Sequence, residues 1–267
     1  MRTKTSWDDE YTLLCENCGY VIEGLDPAGN CPECGKTIAE SLPERRVGTP
    51  WQQSPGVWSL VRTWWMTLRH PLRTLDVMRI DGHQRKSLWD WTITLIILLP
   101  VPVCLFGIFE LGQGMQLNQG IRTHGVPGAW TFTPGYFFVM IPVLTATEAL
   151  GLRVIARQRG FRVPRDISKT ITAHGAVGWL AMSTGLTLSF IYIAIPIALH
   201  GNPDGAFDSR LRGLIMWAWP MIGFSFLFGF LFFETFAYLG LRRCKFANRV
   251  RPESPSQGAT TRVEDAQ

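Results

Sequence analysis

The chain has 267 residues, is 46% hydrophobic and 12% aromatic, contains 11 Trp and carries a formal charge of +5. That length permits one or two domains. The mean hydropathy of +0.09 averages over three unlike blocks: residues 1–87 are polar and mixed, 88–241 are dominated by apolar runs, and 242–267 are polar again. The opening "MRTKTSWDDE" has no apolar core, which excludes reading it as a secretory signal peptide.

The first predicted element is "CENCGYVIEGLDPAGNCPECGK", which holds four of the six cysteines as C-x2-C, twelve residues, C-x2-C. Two cysteines three apart on a tight turn aim both sulfurs at one point, and a second such turn completes a tetrahedron. Cys15, Cys18, Cys31 and Cys34 are therefore the expected ligands of one Zn²⁺, which favours four thiolates in that arrangement. Gly19 and Gly35 supply the positive φ such turns tend to need. "YVIEGLDPAGN" between the knuckles reads as a short strand, a turn and a return, giving a small β zinc ribbon over 13–41. Paired disulfides are the alternative, opposed by a reducing compartment.

Residues 42–57, "LPERRVGTPWQQSPG" and the following Val57, are rich in Pro, Gly and Ser and read as a linker. Over 58–86, Trp58, Val61, Trp65, Leu68, Leu72, Leu75 and Met78 recur at helical spacing with Arg62, Arg69, Arg73 and Arg79 among them. This predicts a basic amphipathic pre-membrane helix, broken near Pro71, either lying in the membrane interface or packed on the bundle. Beside a bilayer, anionic lipid is the nearer partner for such charge, and no nucleic acid is expected.

Four stretches reach the roughly 20 apolar residues that a bilayer requires: 88–111, 134–152, 173–199 and 213–241. They predict an all-α polytopic membrane bundle. Trp89, Trp91, Trp130, Trp179, Trp217 and Trp219 fall near the span ends, where amphipathic rings favour the headgroup region. Each span carries proline (Pro100 and Pro102, Pro142, Pro196, Pro220), which bilayer helices tolerate. Lys and Arg are abundant before the first span, between the second and third, and after the fourth, and sparse in the other two loops. The alternation places both termini, and the ribbon, on the cytosolic side of an inner (cytoplasmic) membrane. The 246–267 tail has almost nothing to bury and reads as disordered. Cys104 and Cys244 read as packing residues.

Glu148 and Glu234 lie inside the second and fourth spans, about 6 and 10 Å below the interface at ~1.5 Å per residue. Each precedes a similar ending, "GLR" at 151–153 and "GLRR" at 240–243. Intramembrane acids are candidates for function, but the shallow depth favours a packing role in which each is hydrogen-bonded to a neighbouring helix or to interfacial water. His174 starts the third span, within reach of Glu148 if the helices pack that way. Ala181-x3-Gly185 and Ser225-x3-Gly229 suit close helix contact. The sequence contains no Walker loop, dinucleotide fingerprint or His-Glu-x-x-His.

The knuckle residues CxxCGY, EG and CPxCG resemble the small iron-binding segment of rubrerythrins, which implies iron as an alternative metal. Rubrerythrins pair that segment with Glu-x-x-His ligands, which this sequence lacks, so structural zinc is expected. "LLCENCGYVIEGLDPAGNCPECGKTIAESL" also resembles the N-terminal ribbons of uncharacterised membrane proteins from planctomycete-type bacteria. "RHPLRTLDVMR" before the first span looks loosely like the entry of Yip1-type bundles, which implies an adaptor-like role through protein partners and no catalysis. The expectation is a non-enzymatic integral membrane protein. Its ribbon would be a docking or structural module for a cytosolic or membrane protein partner, and its four helices would anchor or organise membrane partners. A homo-oligomer fits the same reading. A small transporter or channel using Glu148 and Glu234 is the alternative, with a membrane-embedded enzyme third.

Overall fold

The computed structural model describes residues 11–80, 85–101, 126–200 and 209–249. These are mostly helical. After the cysteine-bearing segment come two 3-10 turns (Ile38–Ser41 and Pro43–Arg45), then α1 (Pro50–Gln53), α2 (Val57–Arg69), α3 (Pro71–Val77) and α4 (Arg85–Leu98). They are followed by α5 (Val126–Gln158), α6 (Arg165–Gly175), α7 (Val177–His200) and α8 (Ser209–Arg243).

Three stretches among the described residues are long and apolar enough to cross a bilayer: Val139–Gln158, Arg165–Tyr192 and Met216–Arg243. The expected first span at 88–111 begins within α4, and its part beyond residue 101 lies outside the described residues, as do residues 112–125 and 201–208 of the two loops expected outside the cytosol. Large apolar side chains point away from the protein along these helices, including Val139, Val143 and Leu150 on α5 and Trp219, Phe224 and Leu227 on α8. Contiguous apolar surface on this scale is costly in water and suits contact with lipid.

Small residues set the α7–α8 pairing. A Cβ at Gly178 would lie 2.7 Å from the carbonyl oxygen of Gly229, and one at Gly185 would collide with Ser225. The backbones therefore approach closely, the packing that substitutes for a hydrophobic drive inside a membrane. Trp179 fills the adjacent core with Ile96, Ile141, Met182 and Phe233, and its indole N–H donates to Thr145 Oγ1 on α5 at 3.2 Å. Pro100 has no N–H to offer the carbonyl of Ile96, one helical turn earlier. Ser183 Oγ donates to that carbonyl instead, at 2.8 Å, so a residue of α7 completes a hydrogen bond that proline removes from the α4 region.

Pro71 ends the amphipathic helix that begins at Val57, because its missing N–H and fixed ring cannot continue the ladder; His70 stands between α2 and α3. The inward face of α2 is Leu60, Thr63 and Thr67, whereas Trp58, Val61 and Trp65 face out, with Arg69 over the Trp65 ring at 5.9 Å. The helix thus packs on the bundle through a small, hydroxylated face and turns its aromatic stripe outward. Further along, Leu75 and Met78 are fully buried.

One end of the molecule gathers the start of α4, the end of α5, the start of α6 and the end of α8. Leu75, Met78, Leu152, Ala156, Val163, Ile167 and Leu241 share a single core there, and Asp166 bonds both Arg85 and Arg249. The cysteine segment sits on this basic end.

The 42–57 stretch departs from its reading as a linker. Arg46, Thr49, Trp51 and Gln52 are buried, because α1 carries a capping box in which Thr49 and Gln52 exchange bonds, and Gln52 Nε2 donates to the Arg79 carbonyl at 2.9 Å. The start of the polar tail differs likewise. Phe246, Ala247 and Asn248 are buried: the Phe246 ring lies against Gly19 and the Asn248 amide bonds Leu14 and Ser41; residues 250–267 lie outside the described residues.

Candidate metal centre

Cys15, Cys18, Cys31 and Cys34 place their four sulfurs within 4.8 Å of one another. Across the two knuckles, Cys15 lies 3.5 Å from Cys34 and Cys18 3.6 Å from Cys31, sulfur to sulfur. A disulfide needs about 2.05 Å, and a tetrahedral ion about 2.3 Å from each thiolate sets its sulfurs about 3.8 Å apart. The arrangement therefore fits a single metal ion held by all four sulfurs.

Each knuckle is a tight turn. The Gly19 N–H donates to the Cys15 carbonyl at 2.8 Å and the Gly35 N–H to the Cys31 carbonyl at 2.9 Å. Both glycines occupy the left-handed region, at φ 82° and 72°, where a Cβ would clash with the backbone. The Cys15 N–H reaches the Tyr20 carbonyl and the Cys31 N–H the Lys36 carbonyl, each at 2.8 Å. A backbone N–H of Lys36, helped by the Asn17 side chain, holds the Cys34 thiol down at about 6, while burial pushes Cys18 up to about 12. Among the described residues the segment has no strand, only two isolated antiparallel bridges, Leu14 to Val21 and Asn30 to Thr37, one closing each knuckle. Its apolar core is small: Cys15, Ile22, Cys31 and Ile38, with Leu13 against them.

A buried polar joint fastens this small unit to the helices. Asn248 Nδ2 donates to the carbonyls of Leu14 and Ser41, both at 2.6 Å, and its Oδ1 accepts from the Leu14 N–H at 2.9 Å. Arg162 donates to that Oδ1 at 2.8 Å and to the Thr12 carbonyl at 2.6 Å. Glu16, which lies between the first two cysteines, forms a two-pronged ion pair with Arg46 at 3.1 and 3.2 Å. The same guanidinium donates to the Leu75 carbonyl at 2.8 Å, at the core where α3 meets α8. The edge of the Phe246 ring abuts Gly19, where a Cβ would lie 2.9 Å away. Cys244 is fully buried near the Leu75 carbonyl, and burial pushes its thiol up to about 11, as suits a packing residue.

Sequence reasoning found the four cysteines and missed Glu16, Arg46, Arg162 and Asn248. Glu16 and Arg46 read there as ordinary polar residues of a ribbon and a linker, and Arg162 as one topogenic charge among several. The available signal was local: an acid inside a knuckle is poorly placed for a thiolate-bound metal unless a cation answers it.

The other candidates lie within the helices. Glu148 on α5 and Glu234 on α8 are half-buried. His174 is 2% exposed. Its Nδ1–H donates to the Thr170 carbonyl at 2.9 Å, which leaves Nε2 to accept from the Thr49 hydroxyl at 3.4 Å. Both ring nitrogens are thereby engaged, Nδ1 within α6 and Nε2 in joining α6 to the turn before α1. Scanning family models, curated proteins and solved structures gives no match to this chain.

Proposed function

We propose that the chain is a non-enzymatic integral membrane protein in which a zinc-held cytosolic ribbon clamps the cytosolic ends of a four-span bundle. The observation that carries this reading is the joint around Asn248, a few residues past the last helix: two buried hydrogen bonds tie it to Leu14, the residue before the first cysteine, and a third ties it to the Ser41 carbonyl. A module serving only as a tethered hook would not need such a joint. The ribbon's own core is too small to offset chain entropy unaided, and bound zinc contributes roughly 10–16 kcal/mol in modules of this size. Thiolate chemistry favours zinc, with iron the alternative. A docking role belongs to the same reading, and would fall to the outer face bearing Tyr20, Val21 and Leu25, which are exposed. The likeness to ribbon-bearing bacterial membrane proteins rests on the knuckle residues and stays within this proposal.

The four-span arrangement with both termini cytosolic draws support from the helix ends. The start of α4, the end of α5, the start of α6 and the end of α8 meet at the end richest in Arg and Lys, which the positive-inside rule assigns to the cytosol. Non-enzymatic action accords with the sealed contact of Thr49 and His174, 0% and 2% exposed, where no substrate could reach the hydroxyl. The test is metal analysis of the purified full-length protein, together with reporter fusions at residues 120 and 204. One zinc per chain, lost in Cys31→Ser, and both reporters outside the cytosol are expected. A metal-free fold would sink the clamp, and a red iron-thiolate colour would replace zinc with redox chemistry.

Glu148 and Glu234, half-buried acids within helices long enough to cross a bilayer, favour a second reading, a small transporter or channel. Proton or substrate flux in liposomes that disappears in Glu234→Gln would place it first.

A further inference from the structure

A cleft of about 630 Å³ opens between α4, α5 and α6 at the basic end of the bundle. Five cations line it: Arg85 and Lys86 from the start of α4, Arg153 near the end of α5, and Arg165 and Lys169 from the start of α6. Asp90 also lines it. Arg85 is answered by Asp166 at 3.0 Å, and that carboxylate is shared with Arg249. Among the described residues, Lys86, Arg153, Arg165 and Lys169 form no ion pair. Lys169 instead shares the cleft lining with Arg165, Arg85 and Arg153. Like charges converging on one concavity are stabilised by an anion placed among them.

The cleft changes character along α5. From Arg153 its wall passes Leu150, Ala149 and Ala146 to Pro142, eleven residues or about 16 Å along a helix axis. Leu150 is 56% exposed, so this wall runs out onto the lipid-facing surface. A free inorganic anion would use the cations and leave the apolar wall empty. A lipid would use both.

We propose that this cleft binds the phosphate-bearing headgroup of an anionic lipid from the adjacent leaflet, with an acyl chain along the α5 wall. Basic pockets between spans at the cytoplasmic face suit such headgroups. The inference rests on the membrane reading above. The test uses the full-length protein in bilayer discs of phosphatidylcholine, with phosphatidylglycerol titrated in and retained lipid counted by native mass spectrometry. Phosphatidylglycerol should be retained about tenfold over phosphatidylcholine, and the combined change Arg153→Gln and Lys169→Gln should weaken retention about tenfold. Arg157→Gln with Arg159→Gln, a matched charge loss outside the cleft, should leave it unchanged. Leu150→Trp, which fills the apolar wall, should lower lipid retention while inorganic phosphate binding stays the same. No preference for the anionic lipid, equal loss in the two double variants, or inorganic phosphate competing as well as lipid would each overturn the proposal. Failure to insert into phosphatidylcholine at all would instead overturn the membrane reading, and this site with it.

Discussion

Asn248 brackets the backbone of Leu14, accepting its N–H at 2.9 Å and donating to its carbonyl at 2.6 Å across 234 positions of sequence. The same amide donates to Ser41 and accepts from Arg162. Asn248→Ala leaves these buried groups without a partner and should destabilise the joint by about 3 kcal/mol. Asn248→Asp keeps the acceptor but faces two carbonyls with a carboxylate, so it should not rescue. Thermal unfolding in detergent, with the rate of metal loss to a chelator, reads both effects; a wild-type rate in Asn248→Ala would show that the joint does not hold the module.

Glu16 and Arg46 are both more than nine-tenths buried. Removing either partner alone leaves an unanswered charge and should cost about 3–5 kcal/mol. The double change to Glu16→Leu and Arg46→Met should recover part of that loss. Full recovery is not expected, because Arg46 also serves the carbonyls of Leu75 and Met78. A double-mutant cycle on the melting temperature measures the coupling, and strictly additive losses would mean that the pair does not act as a unit.

The two knuckle glycines should respond differently to alanine. Gly35 has open space around it, so Gly35→Ala meets only the cost of the left-handed backbone, about 1–2 kcal/mol. Gly19 has the same backbone demand and the Phe246 ring against it, so Gly19→Ala should be clearly worse. Adding Phe246→Ala should relieve the steric part. Equal destabilisation by the two single changes would show that the ring yields freely.

The contrast between these glycines marks what sequence could and could not show. The C-x2-C spacing and the glycine after each pair are local features, and they located the four sulfurs that the fold brings together. The apolar runs at 134–152, 173–199 and 213–241 are equally local, and each overlaps a helical stretch long enough to cross a bilayer. What lay hidden depends on long-range pairing. The partner of Leu14 is a residue of the polar tail, and the partner of Glu16 is an arginine in a supposed linker. Composition made 42–57 look like a tether because Pro, Gly and Ser mark turns, yet Trp51 and Gln52 turn that stretch inward. Polar residues reveal burial only once their partners are known.

The bond between Ser183 and the Ile96 carbonyl offers a test inside the bundle. Ser183→Ala should cost about 1 kcal/mol or somewhat more, since Pro100 cannot supply the missing donor. Pro100→Ala in the same background should restore stability by returning the N–H. Unfolding of the single and double variants in detergent decides this, and no loss in Ser183→Ala would mean that the carbonyl finds another donor.

The central claim is that a metal-held module locks one end of the helical bundle, and hydrogen–deuterium exchange on chelating the metal from the full-length protein tests it most directly. Removal of one zinc per chain should raise exchange in 12–22 and 30–41 and, through Asn248, Arg162 and Arg46, in 44–48, 161–163 and 244–249. The stretches Val139–Gln158 and Met216–Arg243 should stay protected up to their last turns. Metal loss that loosens 12–41 and leaves 161–163 and 244–249 unchanged would contradict the clamp.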